Sequence, residues 1–295
     1  MKQSPAEEQD DVVSFDGTRL AARRTGEGSP TPLLIINAVG TSTSVWRRIA
    51  ADVARERPVI TWDLRGLNYS ELPRSDRIDP SAHVEDAVAV TDHFGAEQVA
   101  VAAWSTGTRI ALEFAAAYPD RTRALTLVNG GYGHALRRLR FLEFASLLPV
   151  GAGLTKYVAG FLESPFRNVT RRPEFAGLIR QSGAVGPTAD IPGLVEMAHE
   201  VADSDLHQLL STYSAIAGDG APELLEQVQA QTLLVAGGRD QITSMRMMEK
   251  MAARIPGARL EVFDEATHYL PFEFASRLSE ALRKFLSETE PLDGD

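Results

Sequence analysis

The sequence predicts an α/β fold: a mostly parallel eight-stranded sheet flanked by helices, with one helical insertion. Three observations predict it. Short apolar runs recur along the chain with the unbroken hydrophobicity of strands buried on both faces. Amphipathic segments of helical periodicity fall between the runs, and strands alternating with helices mean βαβ units. From Tyr132 to Gln231 no strand-like run appears, and about 100 residues cannot be a simple loop, so this stretch reads as helices inserted between two consecutive strands.

In chain order, Val12 to Phe15 and Arg19 to Arg24 flank Asp16-Gly17-Thr18. Asp-Gly tolerates positive φ, so these segments predict a β-hairpin at an antiparallel edge. The buried runs are LLIIN (Leu33 to Asn37), VITWD (Val59 to Asp63), VAVAA (Val99 to Ala103), LTLVN (Leu125 to Asn129) and TLLVA (Thr232 to Ala236), with RLEVF (Arg259 to Phe263) a weaker last member. Helices are predicted over Ser44 to Arg55, from an Asp79 N-cap with Pro80 behind it to about Phe94, and over Thr106 to Tyr118, Ser244 to Arg254 and Pro271 to Leu286. Within the insertion the pattern predicts helices over Ala135 to Leu148, Leu154 to Leu162, Glu174 to Arg180, Leu194 to Val201, Leu206 to Ala217 and Pro222 to Val228.

Composition narrows the function. With 30 Lys and Arg against 40 Asp and Glu, the net charge of −10 gives no general attraction to phosphate backbones or anionic membranes, so neither nucleic acid nor membrane is an expected partner. No cysteine is present, which removes disulfides, thiol catalysis and Cys-ligated metals. No two histidines stand at metal-ligand spacing, so no metal and no cofactor is expected. The first eleven residues lack the apolar core of a signal peptide, and no apolar run reaches the roughly 20 residues of a membrane span. A cytoplasmic protein, monomer or homodimer, is the expectation.

Ser105 follows the run Val99 to Ala103 and precedes a helix. A serine on such a sharp strand-to-helix turn projects Oγ from the carboxyl end of a parallel sheet, beside the first free N–H groups of the helix. Small residues are needed two positions before and after it, and Ala103 and Gly107 occupy them. A serine hydroxyl needs a base. Of the six histidines, His83, His93, His134, His199 and His207 fall in predicted helices or at their starts and read as surface or core residues. His268 alone lies in a short loop after the last strand, on the same rim as Ser105. Asp240, after TLLVAGG, supplies the acid that orients that base. The residue after the preceding strand, Asn129, carries no charge. Two N–H groups are needed for the developing oxyanion: Thr106, next to the nucleophile, and Val39 in the loop Asn37 to Thr41, with Ala38 as the alternative.

These residues, in the order Ser105, Asp240, His268, resemble the α/β-hydrolase superfamily over nearly the whole chain. DLRGLNYS (Asp63 to Ser70) is similar to the superfamily's D-x-R-G-x-G-x-S stretch, with Asn68 in place of a glycine. NAVGTSTSVW (Asn37 to Trp46) is similar to its H-G-x-G loop, in the N-x-x-G-T form of 3-oxoadipate enol-lactonases. GGRDQIT and ATHYLPFE match its acid and histidine loops. The resemblance implies an α/β-hydrolase fold with a core over 1–131 and 232–295 and a helical cap over 132–231. It assigns the second oxyanion amide to Val39. It also implies a substrate pocket under the cap, for which Trp104, Phe141, Phe144 and Tyr157 are candidates, with Leu147, Leu148 and Phe161 beside them; Trp104 reads equally as packing inward. Arg137, Arg138 and Arg140 read as a solvated face or as a grip on an anionic substrate. The function implied is a serine hydrolase of a small or medium carboxylic ester or lactone. Cofactor-free C–C bond hydrolysis, perhydrolysis and acyl transfer on the same fold are alternatives, as is a non-catalytic ligand-binding protein.

Overall fold

The computed structural model describes residues 7–28, 30–132, 165, 167–218 and 222–289. Eight strands form one sheet: β1 (Glu7–Val13), β2 (Arg19–Thr25), β3 (Leu33–Ile36), β4 (Val59–Trp62), β5 (Val99–Trp104), β6 (Thr122–Val128), β7 (Gln231–Gly237) and β8 (Arg259–Phe263). Their spatial order is β1-β2-β4-β3-β5-β6-β7-β8. The pairs β1–β2 and β2–β4 are antiparallel; the remaining five are parallel.

Period-two alternation turns each apolar run into two core faces. On β5, Val99, Val101 and Ala103 enter one hydrophobic cluster, while Ala100, Ala102 and Trp104 enter the other. Helices α2 (Pro80–His93) and α3 (Gly107–Ala117) close the first face with Val84, Val90, Ile110 and Phe114. Helix α1 (Arg47–Val53) and the C-terminal helix close the second with Ile49, Val53, Leu282 and Phe285. Each fully buried Leu, Ile or Phe contributes about 2 kcal/mol of burial, so the all-buried β3 anchors the centre of the sheet.

The first strand differs from its expectation. It runs over Glu7–Val13 instead of starting at Val12, and Phe15 lies outside it. An edge strand needs apolar side chains only where it faces the core. Val12 is buried and Val13 exposed, and the acidic residues before them, such as Asp10 and Asp11, carry no strand-like pattern while discouraging edge pairing. The Asp16-Gly17 turn forms as expected, with Gly17 at φ 85° and the Ser14 N–H donating to Thr18 O at 2.9 Å.

The D-x-R-G-like stretch is structural glue. Arg65 is fully buried and donates to Asp86 (Nε, 2.7 Å) and Asp16 (3.1 Å), while the Ser70 hydroxyl donates to Asp63 O at 2.6 Å. Asn68 adopts φ 53°, the left-handed conformation that glycine would have supplied.

Between β6 and β7 the described residues form α4 (Phe175–Gln181), α5 (Ile191–Asp203), α6 (Leu206–Ile216) and α7 (Leu224–Gln227). Helix α5 starts three residues before its expected Leu194, because Asp190 caps it by accepting the Gly193 N–H at 3.2 Å. The helices expected over 135–148 and 154–162 lie outside the described residues. After β7 come α8 (Met245–Arg254), α9 (Leu270–Glu273) and α10 (Ala275–Thr289). The single helix expected from Pro271 is broken at Phe274, whose φ of −133° leaves the helical region. The helix expected from Ser44 opens as a 3₁₀ turn, Thr43–Trp46, under a Ser42 cap. Among the described residues, no helix is long and apolar enough to cross a membrane.

Candidate active site

The sheet brings six loops to its carboxyl edge. Strand β5 ends at Trp104, and Ser105 turns the chain with φ 54°, a strained value for a non-glycine residue. Its N–H stays tied to β6 by donating to Val128 O at 3.0 Å. Helix α3 then begins at Gly107, where a Cβ would lie 2.6 Å from Asn37 O and 2.7 Å from Ile36 O. Only glycine lets the helix approach β3 this closely, as the spacing around Ser105 predicts.

Ser105 Oγ lies 2.9 Å from His268 Nε2, and His268 Nδ1 lies 2.8 Å from Asp240 Oδ2. A carboxylate can only accept, so Nδ1 carries the proton and Nε2 accepts from the serine hydroxyl. All three side chains are buried or nearly so. Asp240 is held by its own loop: Oδ1 accepts the N–H groups of Ile242 (2.7 Å) and Thr243 (2.9 Å), and Oδ2 the Thr243 hydroxyl. Burial would raise the Asp240 pKa, but the His268 ring and these donors outweigh it and hold the carboxyl below its ordinary range. Of the other described histidines, His83 is fully buried, the core placement of its two readings. Burial drives it neutral, down to about 4.

Three residues seat His268 in ways the sequence does not reveal. Asn129, at φ 42°, donates through Nδ2 to Thr267 O (2.8 Å) and His268 O (3.1 Å), and its Oδ1 accepts the Gly237 N–H at 2.6 Å. The uncharged residue at the end of β6 is thus a clamp between β7 and the histidine loop. Trp104 is buried, its indole N–H donates to His268 O at 3.0 Å, and its ring lies 5.4 Å from the His268 ring. Its described ring contacts are His268, Tyr269 and Phe272. Glu273 Oε1 accepts the Thr267 hydroxyl (2.7 Å) and the Gly186 N–H (2.6 Å), while Oε2 accepts the Thr267 N–H (2.7 Å). The only sequence signal for the clamp is an asparagine, tolerant of positive φ, at a strand's end.

The two amides expected to face an oxyanion differ. No described acceptor takes the Thr106 N–H, whereas the Val39 N–H donates to Thr106 Oγ1 at 2.8 Å. The loop that carries Val39 turns at Gly40 with φ 81° beneath Leu209 of α6; a Cβ there would reach within 2.8 Å of Leu209 Cδ1.

Helix α5 is tied to the same edge. Glu200 accepts from the Ser42 and Ser44 hydroxyls (2.7 and 3.2 Å), and Arg47 pairs with Glu196 at 2.6 Å. Asp63 lies nearby, and burial, reinforced by the Glu200 charge, pushes it up to about 6 against the N–H donors of Thr43 and Tyr69. A cleft of about 840 Å³ runs along α5, with Asn68, Tyr69, Pro192, Val195 and His199 among its described walls. Ser105 and His268 are not among those walls. Phe141, Phe144, Tyr157 and the arginines at 137, 138 and 140 lie outside the described residues. Among the described residues, no group of three or more His, Asp or Glu side chains is placed to hold a metal ion.

The family model described as alpha/beta hydrolase fold matches residues 31–275. The chain is 27% identical to the 2-hydroxymuconate semialdehyde hydrolase of Pseudomonas sp. (strain CF600), over 89% of each chain. Among solved structures it is similar to a hydrolase from Pseudomonas aeruginosa PA01 (TM-score 0.74, 22% identity, 95% of this chain and 98% of that one). It is also similar to the enol-lactonase from Burkholderia xenovorans LB400 (TM-score 0.73, 20% identity, 95% and 100%).

Proposed function

From the premise that the chain belongs to the α/β-hydrolase fold family, as the match over residues 31–275 establishes, we propose that it is a serine hydrolase of a small or medium carboxylic ester or lactone. The observation that carries this reading is the hydrogen-bonded series Ser105 Oγ, His268 and Asp240, at 2.9 and 2.8 Å. Ser105 Oγ attacks the substrate carbonyl carbon and its proton passes to His268 Nε2. The carbonyl π pair moves onto oxygen, which the backbone N–H of Thr106 and a second donor stabilise. Collapse expels the alkoxide, His268 returns the proton to it, and an acyl-enzyme remains. Water deprotonated by His268 then releases the acid. Asp240 keeps the ring in the tautomer this requires. The core is 1–131 with 232–295, and 132–231 is a cap that excludes water and shapes the pocket. No cofactor is needed, and the enzyme acts in the cytoplasm.

Ser105→Ala tests the reading. Turnover of p-nitrophenyl acetate and butyrate is expected to fall by about 10³-fold or more with the thermal midpoint retained; equal turnover refutes the assignment. Similarity to the 2-hydroxymuconate semialdehyde hydrolase favours a second reading, C–C bond hydrolysis by the same three residues. Such an enzyme would ignore simple esters and cleave a diketone.

A further inference from the structure

Thr106 stands at the N-cap of α3, where a threonine hydroxyl ordinarily accepts a hydrogen bond from the first turn of its own helix. It does not do so here. Its φ of −62° and ψ of −29° are helical rather than extended, and the side chain makes no capping bond. The hydroxyl reaches across to the loop after β3 and accepts the Val39 N–H at 2.8 Å. Thr106 is buried, and no described acceptor takes its hydroxyl proton or its backbone N–H.

A backbone N–H has one proton to give. Val39 commits its proton to Thr106 Oγ1, and turning it to a substrate oxygen would leave a buried hydroxyl without its donor. The hydroxyl retains a proton of its own. It sits on the residue after Ser105, three bonds from the backbone nitrogen that the hydrolase reading turns to the oxyanion. Hydrogen bonds in series polarise one another, so a hydroxyl that accepts from an amide becomes a better donor.

We propose that the second donor to the oxyanion is the Thr106 hydroxyl, with the Val39 N–H behind it as the group that orients and polarises it. This deepens the serine-hydrolase reading and rests on it. Thr106 contributes two donors, and Val39 is a positioning group. No proton leaves Thr106; its O–H bond is kept through both the acylation and deacylation steps.

The test uses the full chain as wild type, Thr106→Ala, Thr106→Val and Thr106→Ser. Two readouts are taken: the rate of Ser105 labelling by a fluorophosphonate, and kcat and KM on p-nitrophenyl butyrate. Loss of one oxyanion donor is expected to lower kcat and the labelling rate about 10²-fold in Thr106→Ala and Thr106→Val, with KM little changed. Thr106→Ser, which keeps the hydroxyl, is expected to recover most of the rate. Thr106→Ala as fast as or faster than wild type overturns the proposal, because Val39 then serves the oxyanion directly and the hydroxyl only plugs it. Thr106→Ser as slow as Thr106→Ala overturns it too, since the methyl group would then be what matters. If wild type neither labels at Ser105 nor turns over ester, the hydrolase reading falls and this proposal with it; labelling at Ser105 that is insensitive to residue 106 overturns this proposal alone.

Discussion

Replacing Asn129 with aspartate alters almost no volume yet removes both donors of the clamp on the histidine loop. The Nδ2 bonds to Thr267 O and His268 O disappear, while the new carboxylate still accepts from the Gly237 N–H. Two buried hydrogen bonds are worth about 2 kcal/mol. The buried anion now faces two carbonyl oxygens, which brings the expected loss to roughly 3–5 kcal/mol at pH 8. Burial and those carbonyls raise the carboxyl pKa in the folded state above its unfolded value. The folded protein therefore holds the proton longer, and the penalty grows as pH rises from about 4. Protonated at pH 5, the same group can donate to one of the carbonyls, and the loss shrinks to about 1 kcal/mol. Asn129→Ala loses all three bonds but gains no titrating group, so its deficit of about 3 kcal/mol is flat with pH. Urea unfolding followed by tryptophan fluorescence at pH 5 and pH 8 measures both. An Asn129→Asp protein as stable as wild type at pH 8, or one whose deficit tracks Asn129→Ala at both values, refutes the clamp. His268 O keeps the Trp104 N–H as a second tether, so kcat of either variant is expected to fall without vanishing.

Asp240→Asn preserves the shape of its loop but presents an N–H to His268 Nδ1, which forces the wrong tautomer. Steady-state kinetics are expected to show kcat down on the order of 10⁴-fold with KM little changed. The Asp63 carboxyl, raised to about 6 by burial, titrates in the opposite sense to Asp240. Because its folded pKa exceeds the unfolded one, its contribution is most favourable below about pH 4 and is lost as pH rises to 6, a change of roughly 3 kcal/mol. Urea midpoints taken from pH 4.5 to 7 are expected to show that slope in wild type and not in Asp63→Asn; parallel slopes would rule the argument out.

The parts of the fold legible in the sequence are those where burial is two-sided. Strands β3, β4 and β5 are buried throughout, and β6 and β7 at all but one residue each, because helices cover both faces of the sheet. β1 was hidden because an edge strand satisfies its backbone on one side and can be made of acids. Ser105, Asp240 and His268 were readable because each follows a strand at its carboxyl end, and in a parallel sheet those ends converge. Gly107 followed from the same geometry. The Thr106–Val39 contact and the Asn129 clamp were not readable, because neither is a property of local sequence. Thr106 reads as a helix cap until the loop after β3 is brought beside it, and Asn129 reads as the uncharged end of a strand until the histidine loop folds over it. The break at Phe274 was invisible because Glu273 satisfies the usual helical pattern while its side chain is committed to Thr267 and Gly186.

That last carboxylate has a mechanical consequence. One oxygen of Glu273 is shared between the Gly186 N–H of the inserted segment and the hydroxyl of Thr267, the residue before His268, whose N–H the other oxygen accepts. A load that lifts the segment away from the sheet is felt one residue from the imidazole. The inserted segment and the imidazole are thereby coupled through a single carboxylate.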